Sequence, residues 1–276
     1  SFVVGFLGEL SLGHAGFMCI GAYLGGKTAA LLSAGLGNSL PTLLLSVLVG
    51  GVAAALAGAV IGLPALRLKG DYLAIVTLAF GEIVRTLFCN SGEATFGGAF
   101  GLESPRYDYH HLYRIAFVFV ILAVIVFQNV IRSKHGRAVT AIRDNEIAAR
   151  ATGIDVTKYK LLAFTLSAFF AGVAGVLYSY TQSRVQSATF DYNYSIEILV
   201  TVVLGGIGSM NGSIVAAALI TFLNNKLATV LTGNLAVLQN MVYALFLIFI
   251  VIFGNAPALA SFREQYSPRA LMKKLF

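Results

Sequence analysis

Charge is what this sequence has least of. Asp, Glu, Lys and Arg make up 11% of its 276 residues, against 58% hydrophobic residues. A soluble domain carries roughly 25% charge, because a water-facing surface needs it. The shortfall excludes a soluble single-domain enzyme. Disorder is excluded as well, since it requires low hydrophobicity and high net charge. Cysteine is nearly absent: Cys19 and Cys89 both sit in apolar runs. Two such residues suggest neither a disulfide framework nor a zinc site. No nucleophile–base set, paired His/Cys ligands or carboxylate dyad stands out. The chain is therefore expected to be no enzyme, with no cofactor and no metal of its own.

What is present is apolar sequence in long runs. None of the four charged residue types occurs in 28–66, 115–131, 161–183, 198–225 or 227–262. A spanning helix needs about 20 mainly apolar residues, and in lipid the helix is favoured because it pairs its own backbone groups. Spans are expected near 14–36, 41–63, 72–89, 113–131, 161–180, 214–231 and 237–254, with a shorter one near 195–209. Residues 1–10 read as the tail of another span. The start at Ser1, inside an apolar run, is read as a truncated N-terminus. The fold class is then all-α: a polytopic helical membrane protein of about eight to nine spans, a single transmembrane domain over 1–276.

The basic residues cluster. Thirteen of the 19 Lys and Arg lie in 64–71, 132–160 and the C-terminal tail. The connection 90–112 holds Arg106 against Glu93, Glu103 and Asp108, and 181–194 holds Arg184 against Asp191. Cytoplasmic loops carry the Lys/Arg excess. The first three segments, the C-terminus among them, are therefore expected in the cytoplasm and the other two outside. This accounts for the net charge of +7 by topology and anionic lipid. Nucleic acid is not needed as a partner. Alternation of the spans holds only if 195–209 and 214–231 each cross or together form a re-entrant hairpin.

Two glycine-rich breaks interrupt the apolar runs, GELSLGHAG at 8–16 and GGIGSMNGS at 205–213. Discontinuous helices of this kind lie near substrate paths in transporters; otherwise the breaks are turns between spans. A literal phosphate-loop pattern, GAYLGGKT at 21–28, lacks the strand and acidic partner such chemistry requires. It reads better as a small-residue packing face with a snorkelling Lys27.

The segment 132–160 is basic but has helical content. Asp144 or Asn145 can start a helix and Gly153 can end it, which gives about eight residues and roughly 12 Å. Ala138, Ala141, Ile142, Ile147, Ala148 and Ala151 form an apolar stripe among charges. A short amphipathic helix of this kind suits a groove on a protein partner, or else lies on lipid. Within the span at 72–89, Glu82 and Arg85 stand at i and i+3, where they can pair. Charges inside spans are functional candidates by default, although a helix-locking ion pair is the plain alternative. His14 lies in the first break and is more often a packed polar residue than a proton carrier.

Four segments together resemble the permease subunits of branched-chain amino acid ABC importers, of the LivM type. They are LSLGHAGF at 10–17 with IGAY at 20–23, LRLKGDYLAIVTLAFGEIVR at 66–85, GRAVTAIRDNEIAARATG at 136–153, and LGGIGSMNG at 204–212. The resemblance implies a type II-like importer fold in a bacterial or archaeal plasma membrane. It implies a second, LivH-like permease, two cytoplasmic ATPase subunits that hold ATP and magnesium, and an extracytoplasmic solute-binding protein. The third segment is similar to the importer coupling motif, Glu-Ala-Ala, three residues, Gly. Ala148, Ala149 and Gly153 fit it, but Ile147 stands where the motif has Glu, and Glu146 is one position early. The helix at 144–153 is thus expected to couple to the ATPases through Arg137, Arg143, Asp144, Glu146, Ala148, Ala149 and Gly153. Ser11, His14, Glu82, Arg85, Gly206, Ser209 and Asn211 are the expected pathway candidates. Urea, a nucleoside or a sugar is the alternative substrate, and an ion-coupled secondary transporter is the rival of a different class.

Overall fold

The computed structural model describes residues 1–230 except 67, 69, 106 and 108, together with Leu245. The span expected at 237–254 and the basic tail lie outside the described residues, as do Arg67, Lys69, Arg106 and Asp108. The chain divides into two compact units, Ser1–Val200 and from Thr201 on.

The first unit opens with a π-helical turn, Phe2–Leu7, closed by Gly8 at φ +76. Residues 8–13 are irregular, and α1 (His14–Leu36) follows. Next come α2 (Leu40–Ala65), α3 (Asp71–Cys89) and the single turn α4 (Glu93–Phe96). A 3-10 turn and β1 (Leu102–Glu103) lead to α5 (Tyr109–Arg132). The helices α6 (Lys134–Asp144) and α7 (Glu146–Ala151) join it to α8 (Val156–Ser179). Then follow β2 (Arg184–Val185), a 3-10 turn at Ser187–Phe190, and α9 (Tyr192–Leu204), which straddles the division. The fold is helical as expected. The one departure among the described residues is a two-residue antiparallel pair, Leu102 opposite Val185 and Glu103 opposite Arg184.

Among the described residues five helices, α1, α2, α3, α5 and α8, are long and apolar enough to cross a membrane. Glycine holds α1, α2 and α8 together. A Cβ on Gly21 would lie 2.1 Å from the Gly172 carbonyl oxygen, and one on Gly175 2.0 Å from that of Met18. Small residues let membrane helices approach backbone to backbone, where van der Waals contact replaces the hydrophobic drive that lipid cannot supply. Gly21 and Gly25 of the phosphate-loop pattern belong to this packing inside an unbroken helix. The outer face is apolar instead: Leu56, Val60 and Phe117 are 63%, 72% and 67% exposed, as a lipid-facing surface requires.

The packing fixes which connections share an end. Gly62 abuts Leu161 while Gly50 abuts Val176, so α2 runs against α8. His14 meets Ser167 and Gly25 meets Val176, so α1 runs with α8. Leu12 meets Thr77, and Tyr23 stacks on Phe88 at 4.4 Å, so α3 runs with α1. The connections 66–70 and 133–155 therefore stand at one end, and the β1–β2 pair stands at the other.

The 181–194 connection is not merely a surface loop. Ser187 and Phe190 are buried, and the Ala15 amide donates to Ser195 Oγ at 3.3 Å. So α9 begins beside the first turn of α1, inside the bundle. In the second unit, Gly206 at φ +91 and Gly208 at φ +85 turn the chain into α10 (Met210–Val230). A Cβ on Gly212 would lie 1.8 Å from the Gly205 carbonyl oxygen, so only glycine fits this turn. α10 is not among the five helices long and apolar enough to span.

Candidate functional site

Three polar side chains lay out the segment between α5 and α8. Ser133 Oγ accepts from the amides of His135 and Gly136 at 3.2 and 3.3 Å and starts α6. Asn145 Oδ1 accepts from the Ala148 amide at 3.0 Å and starts α7. Asp155 Oδ1 accepts from the Lys158 amide at 3.1 Å and starts α8. Each satisfies an amide that a helix N-terminus otherwise leaves unpaired. Gly153, at φ +86, lets the chain leave α7.

The helix expected between Asp144 or Asn145 and Gly153 is present, started by Asn145, but is shorter than the eight residues expected and separate from α6. Asn145 is extended, at φ −158 and ψ 102, and α7 itself covers only the six residues Glu146–Ala151. The expected apolar stripe is corrected for the same reason, because a helix broken at Asn145 cannot carry one continuous face. Ala138 and Ile142 are buried, while Ile147, Ala148 and Ala151 are exposed. Ala149 turns inward and packs with Ile142 and Val156. Ile147 is 80% exposed.

The expected coupling residues divide accordingly. Arg137, Ala148 and Gly153 are exposed. Arg143 donates to Asp144 Oδ1 at 2.8 Å and reaches across to the Gly5 carbonyl at 3.0 Å. Its Cγ stands where a Cβ on Gly8 would come within 2.6 Å. Glu146 turns inward: Lys160 Nζ lies 3.2 Å from its Oε2 and 2.5 Å from Glu9 Oε1. Arg150 donates to the other oxygen of Glu146 at 2.9 Å. The result is a balanced chain of two carboxylates and two cations, with the Lys160 side chain only 4% exposed.

The first glycine break gathers the other partners. The Leu12 amide donates to Thr77 Oγ1 at 3.0 Å, and the Ala15 amide to Ser195 Oγ. His14 Nε2 and Ser167 Oγ are 2.9 Å apart. Ser11 is buried and its hydroxyl has no hydrogen-bond partner among the described residues. Residues 5–15 are thus tied to α3, α6, α8 and α9. Ser11 and His14 lie at the break, and Glu82 and Arg85 pair with each other on α3 at 2.8 Å, each about a third exposed. In the second unit Gly206 and Ser209 belong to the turn and Asn211 to the start of α10, where the Gly212 amide donates to Ser209 Oγ at 3.1 Å.

Sequence reasoning missed Lys160 and Glu9 as partners. Glu9 reads as interfacial and Lys160 as one of a basic cluster. Their contact joins residues 151 positions apart, and no local spacing carries that signal. Among the described residues no group of three or more His, Cys, Asp or Glu could hold a metal ion.

The family model of the branched-chain amino acid transport system permease component matches residues 1–252. The chain is 40% identical over 274 residues to the high-affinity branched-chain amino acid transport system permease proteins LivM of Salmonella typhimurium and Escherichia coli K12. Each alignment covers 86% of this chain and 63% of the relative. A probable branched-chain amino acid transport permease protein LivM of Methanocaldococcus jannaschii is 28% identical over 179 residues, covering 62% of this chain and 52% of the relative. The chain thus spans 63% of the length of the bacterial relatives. No solved structure matches.

Proposed function

The chain belongs to the branched-chain amino acid transport permease family, and on that footing we propose that it is the membrane-spanning subunit of an ATP-driven importer of branched-chain amino acids. It forms one permease domain beside a second permease subunit, with two cytoplasmic ATPase subunits and an external solute-binding protein. ATP and magnesium belong to the ATPases, and this chain holds neither. The names of the Salmonella and Escherichia relatives support the substrate class.

One observation carries the reading. At the end of five apolar helices, the chain holds out a short, three-times-capped segment whose tip, α7, exposes Ile147 to solvent. An exposed isoleucine among charges suits a partner's groove, and a helix seated in a groove is a standard mode of recognition. The excess of Lys and Arg at 132–160 supports a cytoplasmic position for this end. Movement of the ATPases then reaches the spans through α7, and alternating access shifts between two packed arrangements.

The opposite end supports a role as the receiving mouth. A cavity of about 370 Å³ there is lined by Lys27, Glu93, Glu103 and Arg184 beside Phe100 and Leu102. Both signs of charge next to apolar side chains suit a zwitterion with an aliphatic tail. An ion-driven carrier working alone would leave α7 with nothing to receive it.

The test is Ile147→Asp in the assembled importer. The variant should insert normally, lose the ATPase subunits on purification and lose uptake. Retained ATPases with normal uptake would overturn the proposal. Competition by a nucleoside, a sugar or urea, but not by leucine, would move the substrate and leave the mechanism.

A further inference from the structure

The buried ammonium of Lys160 stands between two carboxylates from different parts of the chain. Glu9, from the irregular stretch after the π-helical turn, is 2.5 Å away, and Glu146, the first residue of α7, is 3.2 Å away. Lys160 itself is in the second turn of α8 and is 3% exposed. Apart from this node, α7 has little with which to grip the bundle. Of its six residues Ala149 alone is buried, and its side chain is a single methyl group.

The Glu9 end of the node is not a passive anchor. Residues 8–13 form no helix, so their backbone amides and carbonyls depend on neighbours. They and their flanks are bonded to Thr77 of α3, Ser167 of α8 and Ser195 of α9. Arg143 adds a second line from the same segment, to the Gly5 carbonyl beside the break. A displacement of α7 would therefore be felt at the break as well as along α8, and from the break by α3 and α9.

We infer that Lys160 is the joint that carries movement of α7 into the glycine break at 8–13. On this account Glu146 is a strut turned toward the bundle, and Ile147 next to it is the surface turned toward the ATPase. The one-position offset between this chain and the usual coupling motif then has a physical reading. Here the carboxylate is the inner contact and the apolar side chain the outer one. Buried ion pairs are weak evidence for stability. What this one offers is a preferred arrangement, because separating either carboxylate from the buried ammonium is costly. Lys160 is thus a positioning residue. The inference rests on the reading of α7 as the ATPase contact.

The test uses the assembled importer, with both permeases, the ATPases and the binding protein, in proteoliposomes. Glu9→Gln, Glu146→Gln, the double variant, Lys160→Met and Lys160→Arg are compared for leucine uptake per ATP hydrolysed. Either single Gln change should lower that ratio about tenfold, within the usual range of coupling free energies, while hydrolysis persists. The double variant should be no worse than the poorer single, because a strut cut at either end is already cut. Lys160→Arg should recover part of the ratio that Lys160→Met loses. A merely structural node predicts otherwise: less assembled complex, with an unchanged ratio in what remains. An unchanged ratio, or Gln effects that add, would overturn the inference. If that happens while Ile147→Asp still releases the ATPases, the joint falls and the docking reading stands. If no ATPase copurifies with the wild-type chain, both fall.

Discussion

Gly175 and Gly35 make a controlled comparison at the scale of one methyl group. A Cβ on Gly175 would stand 2.0 Å from the Met18 carbonyl oxygen, whereas one on Gly35 would meet nothing within 4 Å. Gly175→Ala must push α1 and α8 apart, and overpacking of this kind costs about 1–3 kcal/mol. Gly35→Ala is expected to be neutral or stabilising by up to about 1 kcal/mol, since alanine favours the helix more than glycine does. Thermal unfolding of the two variants in one detergent checks the pair. Lys160 is the second residue with a large expected effect. Lys160→Met leaves Glu9 and Glu146 facing each other with no cation between them, and breaking a buried pair this way costs about 3–5 kcal/mol. The same melts should show a loss for Lys160→Met well beyond that for Arg150→Met, because Arg150 is 68% exposed at its side chain and a surface pair contributes about 0–1 kcal/mol.

At the scale of the element, the segment 133–155 depends on its caps. Asn145→Ala removes the acceptor for the Ala148 amide and should cost α7 about 1 kcal/mol. Asn145→Asp should keep it. Faster amide exchange at Ala148 in the alanine variant, and not in the aspartate variant, is the expected result. The caps are also where the sequence was most readable. Asn145 and Gly153 announce a helix by chemistry that acts within a few residues, and the spans at 14–36 and 72–89 fall within a residue or so of α1 and α3. The break at Asn145 was not readable as such, since Asp144 and Asn145 are equally good helix starters and an apolar stripe runs past both. Nor was the inward start of α9. Ser187 and Phe190 lie in a polar connection, and only their packing against α1 and α3 reveals their burial. The Glu9–Lys160 contact depends on the tertiary fold alone.

For the whole molecule, the packing separates two ends, with 133–155 at one and the β1–β2 pair at the other. Lys27 is at the second end, beside Glu103 and Arg184, although it completes a phosphate-loop pattern in the sequence. Lys27→Ala should leave ATP binding by the assembled importer unchanged, and photolabelling with an azido nucleotide checks this. In the function proposed above, the tip of α7 is held from inside the cell by the subunit that hydrolyses ATP. The most direct measurement of this contact is crosslinking from Ile147→Cys in a Cys89→Ser background, in intact cells and in inverted vesicles. The expected result is a crosslink to the ATPase whose yield changes when ATP is added, and labelling by an impermeant maleimide in inverted vesicles alone. Labelling of that cysteine from outside intact cells, with no crosslink to any ATPase, would contradict it.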